Sequence, residues 1–303
     1  VLLVGVDENG LGPRLGPLIA TAVGVELEQY DRARMQRIAA RVGIGDSKQT
    51  SAFGQMRVAE GLALALIEAL HGQVPRTVDE LLSWIELDGP EVLRAPCPSG
   101  AFAQCWSCDV ALPAFEGSIE EGRMQLARLE KHGVRLHCAR TIVTCAGRMN
   151  RELQRLGSRT SVDLAMFERL LLAVARDAGV ELTAVLGMVG GIRDYERYFT
   201  LLPTTGIAGP VRTKRAVAYR VPGVGSLSFE IDADARHLPV ALASMLGKYV
   251  RELCMERQNR FYARHQADLP RPSGYYDSVT HRFVEQSRGL RQRLGIVDDC
   301  FER

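Results

Sequence analysis

The chain has 303 residues, of which 46% are hydrophobic and 24% charged, and a formal net charge of +2. That composition supports a substantial buried core and excludes a chain too polar to fold. A net charge this small does not announce a nucleic-acid or membrane partner, so any such surface has to come from local clustering.

Seven cysteines, an odd number without a compact framework spacing, fit a reducing cytoplasm better than secretion. The apolar opening is too short for a signal peptide and is interrupted by Asp7, and no run approaches the length that crosses a bilayer. The expectation is a cytoplasmic protein with no membrane contact.

Residues 1–6 form an apolar, β-rich run that delivers two adjacent carboxylates, Asp7 and Glu8, into a turn containing Gly10, Gly12 and Pro13. Neighbouring residues of a strand point to opposite faces, so the two acids converge only if the pleat fails after Asp7. Gly10 makes such a break cheap, and the glycines let a sugar or phosphate approach the main chain. Paired carboxylates beside exposed backbone suit hard metal ions and a phosphate substrate, whereas an isolated pair is more often a solvated turn.

Residues 18–26 read as a second strand, antiparallel to the first if the loop is tight, and 29–40 as a helix. Asp46, Ser47 and Lys48 precede a helical run over 55–70. A lysine in a loop beside carboxylates can hold a phosphate; alone, the triplet reads equally well as a helix cap with a solvated cation. Five prolines punctuate 73–130, which reads as an insertion between core segments 1–72 and 131–303. Cys105 and Cys108 there are weak support for zinc and read as core thiols.

Strand 134–144, helix 161–178 and strand 181–189 follow, the last ending at Gly190 and Gly191. Strand, crossover helix, strand is the grammar of an α/β fold. After a loop rich in Gly and Pro come a hairpin over 215–220 and 226–231, a long helix over 238–263 and a final helix over 278–294. On the long helix Ser244, Lys248 and Glu252 recur every four residues and share one stripe. Asp234 reads as a helix N-cap.

In order along the chain, the segments DENGLGP (from Asp7), DSK (from Asp46), DA (from Asp234), SMLGKYVRE (from Ser244) and GYYD (from Gly274) resemble the motifs of the type 2 ribonucleases H. The resemblance departs at Leu11, where that family carries arginine, and at Glu252, where it carries aspartate. It departs most at Gly187, which stands at the strand end where the family has a carboxylate.

The resemblance implies an α/β, ribonuclease H-like mixed sheet flanked by helices, with 73–130 inserted. It implies an endonuclease acting on the RNA of RNA/DNA hybrids or on ribonucleotides embedded in DNA, with Mg2+ or Mn2+ held by Asp7, Glu8 and Glu252. Gly10, Leu11, Gly12, Lys48, Ser244, Lys248 and Tyr275 would then contact the substrate. Arginines and a lysine clustered at 212–220 and along 251–264 could form a phosphate footprint, although clustered arginines are more often a solvated face. With Gly187 lacking a carboxylate, Asp194 or Asp232 would have to replace it, or the residue was substituted. Otherwise the chain is a catalytically silent nucleic-acid binder.

Overall fold

The computed structural model describes residues 1–44, 56–95 and 104–303. Seven strands form one mixed sheet: β1 (Leu2–Asn9), β2 (Leu18–Glu26), β3 (Arg135–Thr144), β4 (Leu182–Gly187), β5 (Ala208–Arg212), β6 (Ala216–Val221) and β7 (Gly225–Glu230). Their spatial order is β3-β2-β1-β4-β7-β6-β5. The pairs β1–β2, β2–β3, β5–β6 and β6–β7 are antiparallel, while β4 runs parallel to both β1 and β7. This is the mixed sheet flanked by helices that the sequence implies.

Alternation along β1 divides the core. Leu3 belongs to one buried cluster, and Val4 and Val6 to another on the opposite face. The first face is covered by the 28-residue helix α9 (Leu238–His265), with Leu242, Leu246 and Leu253 buried. Gly5 permits its close approach, since a Cβ there would lie 2.2 Å from the Pro239 carbonyl carbon. The second face is covered by α7 (Arg159–Ala178), which buries Phe167, Leu170 and Leu171. Its first turn is fixed by Ser158, whose side chain accepts from the Ser161 amide, and Gly179 ends it in a left-handed conformation.

The remaining early helices are α1 (Arg32–Val42), α2 (Arg57–His71), α3 (Val78–Ile85), α4 (Pro90–Arg94) and α5 (Ile119–Lys131). Val78, Leu81, Ile85 and Val110 of the 73–130 stretch share the buried cluster of Leu246 and Leu253. Glu60 on α2 anchors that stretch, accepting from the amides of Ala114, Phe115 and Gly117 at 2.6, 2.8 and 2.8 Å and from the Tyr249 hydroxyl at 3.0 Å.

Several elements differ from the sequence reading, which placed no helix within 73–130. Helix α6 (Ala146–Leu156) was not expected, and β5 lies in what reads as a Gly/Pro loop. Pro210 is tolerated there because β5 is an edge strand with an irregular register against β6. The expected helix over 278–294 divides into α10 (Ser278–Gln286) and α11 (Arg288–Arg293), followed by α12 (Asp298–Phe301), with α8 (Ala233–Arg236) preceding α9. The buried Arg291 donates to the Val284 carbonyl at 3.2 Å, taking an acceptor at the break.

Candidate functional site

Three parallel strands end side by side at the site. Val6 pairs with Leu186, and Gly187 pairs with Glu230, so β1, β4 and β7 present Asp7, Gly187 and Glu230 as neighbours on the face toward α9. A cleft opens over this edge, lined by Asp7, Glu8, Gly187, Asp234, Ser244 and Lys248 among others.

The two acids converge without the expected break in the pleat. β1 pairs with β2 through Asn9 and Ile19 without a register shift. Glu8 therefore starts from the α7 face and Asp7 from the α9 face. Both reach one point because Gly187 has no side chain: a Cβ there would lie 2.6 Å from Asp7 Oδ1 and 3.5 Å from Glu8 Oε2. Gly187 is thus the hollow into which the first two acids fold.

Burial pushes the Asp7 carboxyl up to about 7, assisted by the negative charge of Asp234 and opposed by a hydrogen bond from Ser244 and the charge of Lys248. Glu8 is raised well above the usual carboxylate range, first by burial and then by the like charges of Asp163 and Asp7. Asn9 holds the helix against the strand, its Nδ2 donating to the Ser244 carbonyl at 3.2 Å.

Two nearby acids escaped the sequence reading. Glu230 accepts from Arg236 at 3.2 Å, His237 Nε2 at 3.1 Å and Ser228 Oγ at 3.1 Å, and the His237 bond holds its carboxyl below the usual range. It borders the cleft but is committed to these donors. The signal for it was the period-two alternation of β7, which puts residues 226, 228 and 230 on one face. Asp163 on α7 is fully buried, and neither of its oxygens has a hydrogen-bond partner. No motif marked it.

Other expectations need correction. Asp234 is not an N-cap: it lies within α8, whose cap position is Asp232, and it lines the cleft. Asp232 also borders the cleft but pairs with Arg215 at 2.7 Å. Asp194 pairs with Arg197 at 2.7 Å on the surface and does not line the cleft. Both are thus committed to arginines.

Ser244 and Lys248 reach the cleft, but Glu252 does not line it. Two helical turns beyond Ser244 carry it about 12 Å along α9. There it accepts from Arg251 at 2.8 Å and faces a second cleft with Arg57, Glu116 and Arg271. Burial raises its carboxyl, opposed by Arg251.

The turn after β1 is clamped by arginines: the Gly10 and Pro13 carbonyls accept from Arg303 at 2.6 and 3.0 Å, and the Leu11 carbonyl from Arg159 at 3.4 Å. Gly12 alone stays open, with nothing within 4 Å of its Cβ position. Tyr275 is 47% exposed and stacks on the Arg251 guanidinium, 4.6 Å from its ring centre.

Lys48 lies outside the described residues. The supposed phosphate footprint is largely spent on internal partners. Arg215 and Arg220 pair with Asp232 and Glu181, Arg251 and Arg257 are buried, and Arg260 pairs with Glu256.

The donor chemistry at Asp7 and Glu8 fits a hard divalent cation, because two half-buried carboxylates sharing one hollow carry a repulsion that a cation would relieve. Among the described residues no group of three or more His, Cys, Asp and Glu is arranged to hold a metal ion. No described helix is long and apolar enough to cross a membrane.

No family model matches the chain, and no curated protein matches it. Among solved structures it is similar to a chain of the PCNA:RNase HII complex from Archaeoglobus fulgidus, at 15% identity and a TM-score of 0.47, over 99% of this chain and 93% of that one. It is similar to the ribonuclease H2 from Pyrococcus horikoshii OT3 at 15% identity and a TM-score of 0.47, over 99% and 92%. For Bst-RNase HIII in complex with Mn2+ the identity is 18% and the TM-score 0.47, over 100% of this chain and 66% of that one, so it spans about two thirds of that protein. Identities and TM-scores this low leave every residue assignment to the chain's own geometry.

Proposed function

We propose that the cleft at the ends of β1 and β4 is the site of a metal-dependent phosphodiester hydrolase acting on the RNA of RNA/DNA hybrids or on ribonucleotides embedded in duplex DNA. The observation that carries this is the meeting of Asp7 and Glu8 in the hollow at Gly187, with Ser244 and Lys248 on the facing helix.

In this reading Asp7 and Glu8 would hold Mg2+ or Mn2+, which would supply charge stabilisation and lower the pKa of water. Ser244 donates to Asp7 and fixes its rotamer. Lys248 places a positive charge beside the acids, where a phosphate oxygen would sit. Gly12 offers open main chain to a ribose, and Tyr275 an exposed ring for stacking. Water would add to phosphorus as the bond to the leaving sugar oxygen breaks, its proton passing to solvent and the leaving oxygen taking one from solvent.

A second reading, a silent nucleic-acid binder, is favoured by the absence of a carboxylate at Gly187 and the commitment of Glu230 to His237 and Arg236. Duplex DNA with one embedded ribonucleotide, incubated with Mn2+, separates the two. The hydrolase reading expects cleavage at the ribonucleotide that Asp7→Asn abolishes and Gly187→Asp raises by orders of magnitude. Hybrid binding without cleavage by either the native chain or Gly187→Asp would leave only the binder.

A further inference from the structure

We propose that Arg303 is the positioning residue of the turn after β1, holding residues 11–13 in the form that receives one phosphate of a nucleic-acid strand. The inference rests on a nucleic acid being the partner, which the hydrolase and binder readings share.

This turn is held through its carbonyls by arginine side chains. Residues 11–13 make no backbone–backbone hydrogen bond among the described residues. Instead Arg303 Nη1 and Nη2 donate to the Gly10 and Pro13 carbonyls at 2.6 and 3.0 Å, and Arg159 donates to the Leu11 carbonyl at 3.4 Å. One planar fork therefore spans both ends of the turn and fixes their spacing. Arg303 is itself anchored: its amide donates to the Arg14 carbonyl at 3.2 Å, and Asn150 on α6 donates to the preceding carbonyl, that of Glu302, at 2.7 Å. With the turn so held, the amides of Leu11 and Gly12 donate to no described group, and the Cβ position of Gly12 faces open space. Free N–H groups on an open turn are what the oxygens of an anion require.

Other arginines show what a structural guanidinium looks like in this fold. Arg251, Arg257 and Arg291 are buried, and each pairs with an acid: Glu252 at 2.8 Å, Asp79 at 2.7 Å and Asp298 at 2.7 Å. Arg303 spends its fork on two neutral carbonyls and pairs with no acid among the described residues. Burial and the like charges of Arg251 and Arg159 push its guanidinium down to about 9. A cation kept without an acid, at the same turn as two free amides, has a physical use when an anion arrives there. The anion that a nucleic-acid strand presents is its phosphodiester, and phosphate contacts of this kind set the register of a strand on a protein.

The test is metal-free binding of a labelled DNA duplex with one embedded ribonucleotide to the full chain, read by fluorescence anisotropy over a range of salt concentrations, for the native protein, Arg303→Met and Arg303→Lys. Lysine keeps the charge but, as a single point, cannot span both carbonyls; methionine keeps neither. The expected result is an affinity about tenfold lower in Arg303→Met and about threefold lower in Arg303→Lys, with the salt dependence shallower by roughly one released counterion in Arg303→Met alone. Mn2+ binding by calorimetry, which reads the Asp7–Glu8 hollow, stays as in the native chain. Native affinity in Arg303→Lys would refute the role of the fork, and it decides the matter if Arg303→Met fails to fold. A salt dependence unchanged in Arg303→Met would refute the phosphate. Loss of Mn2+ binding in step with duplex binding would make Arg303 a general support of the fold and overturn the proposal. No duplex binding by the native chain would overturn it together with both nucleic-acid readings, whereas native binding with unchanged variants overturns the role of Arg303 alone.

Discussion

Replacing Asp7 with asparagine removes a charge that the fold holds at a cost, and the size of that cost follows from its position. Its carboxyl titrates near 7 in the folded protein against an ordinary value of 3.8, with burial the main cause. Between these values the folded chain holds a proton that the unfolded chain has released. Stability is therefore greatest in this respect below about pH 4 and declines as pH rises toward 7. Ionising a carboxyl displaced this far costs the folded chain about 4 kcal/mol at pH 8, with burial the larger cause and the charge of Asp234 a smaller one. Asp7→Asn can still accept from Ser244 and does not titrate, so it should be more stable than the native chain at pH 8 and nearly equal to it at pH 4. In a chain of this size a few kcal/mol is roughly 8 °C in Tm. Urea unfolding or calorimetry at pH 4, 6 and 8 reads the difference directly. Saturating Mn2+ at pH 8 should reverse the order by stabilising only the native chain. A Tm difference that stays constant with pH, or is negative at pH 8 without metal, would refute the claim that Asp7 is held against a desolvation cost in this cleft.

Glu252→Gln tests the separation of the two clefts: with Glu252 paired to Arg251 away from Asp7, Mn2+ affinity and cleavage should change less than about threefold, and a loss comparable to that of Asp7→Asn would place Glu252 in the metal site after all. Glu60→Ala leaves three backbone amides and the Tyr249 hydroxyl without their acceptor and should cost about 4 kcal/mol in denaturant unfolding. An effect below about 1 kcal/mol would show that the 73–130 stretch is not anchored through Glu60.

The long periodic elements were legible because their signals are local. The alternation of β1 and β2, the apolar stripe of α7 and the Pro239-led start of α9 each declare themselves within a dozen residues. The acid pair was legible too, and so was the glycine at the end of β4, since strand and crossover grammar place it. What was hidden depends on which side of the sheet a side chain leaves. A four-residue spacing made Ser244, Lys248 and Glu252 look like one set, but a helix that advances 1.5 Å per residue carries its stripe out of any compact site within two turns. Asp163 was hidden for the opposite reason: it sits in an apolar helical run, where only the packed structure reveals that its oxygens have no donors. The basic clusters looked like a footprint because sequence shows charge without showing the acids that cancel it.

Two kinds of buried or half-buried acid therefore coexist in this fold, and the contrast bears on function. Glu60, Glu86 and Glu168 accept backbone amides and fasten loops to helices; removing any of them strips donors of their partner and should destabilise. Asp7 and Glu8 reach the end of β4 from opposite faces of the sheet, with the Ser244 hydroxyl, the Glu8 amide and Lys248 as the relief for Asp7, and Asp163 is buried on α7 with no donor to its oxygens. Removing one of these should stabilise the metal-free protein. A residue that costs stability where it stands is kept for something other than folding, and a cluster of such residues at the open edge of a mixed sheet has a physical use once positive charge is brought to it. The opposite signs of the two sets of substitutions, measured in the same protein under the same conditions, distinguish a site from an accident of packing.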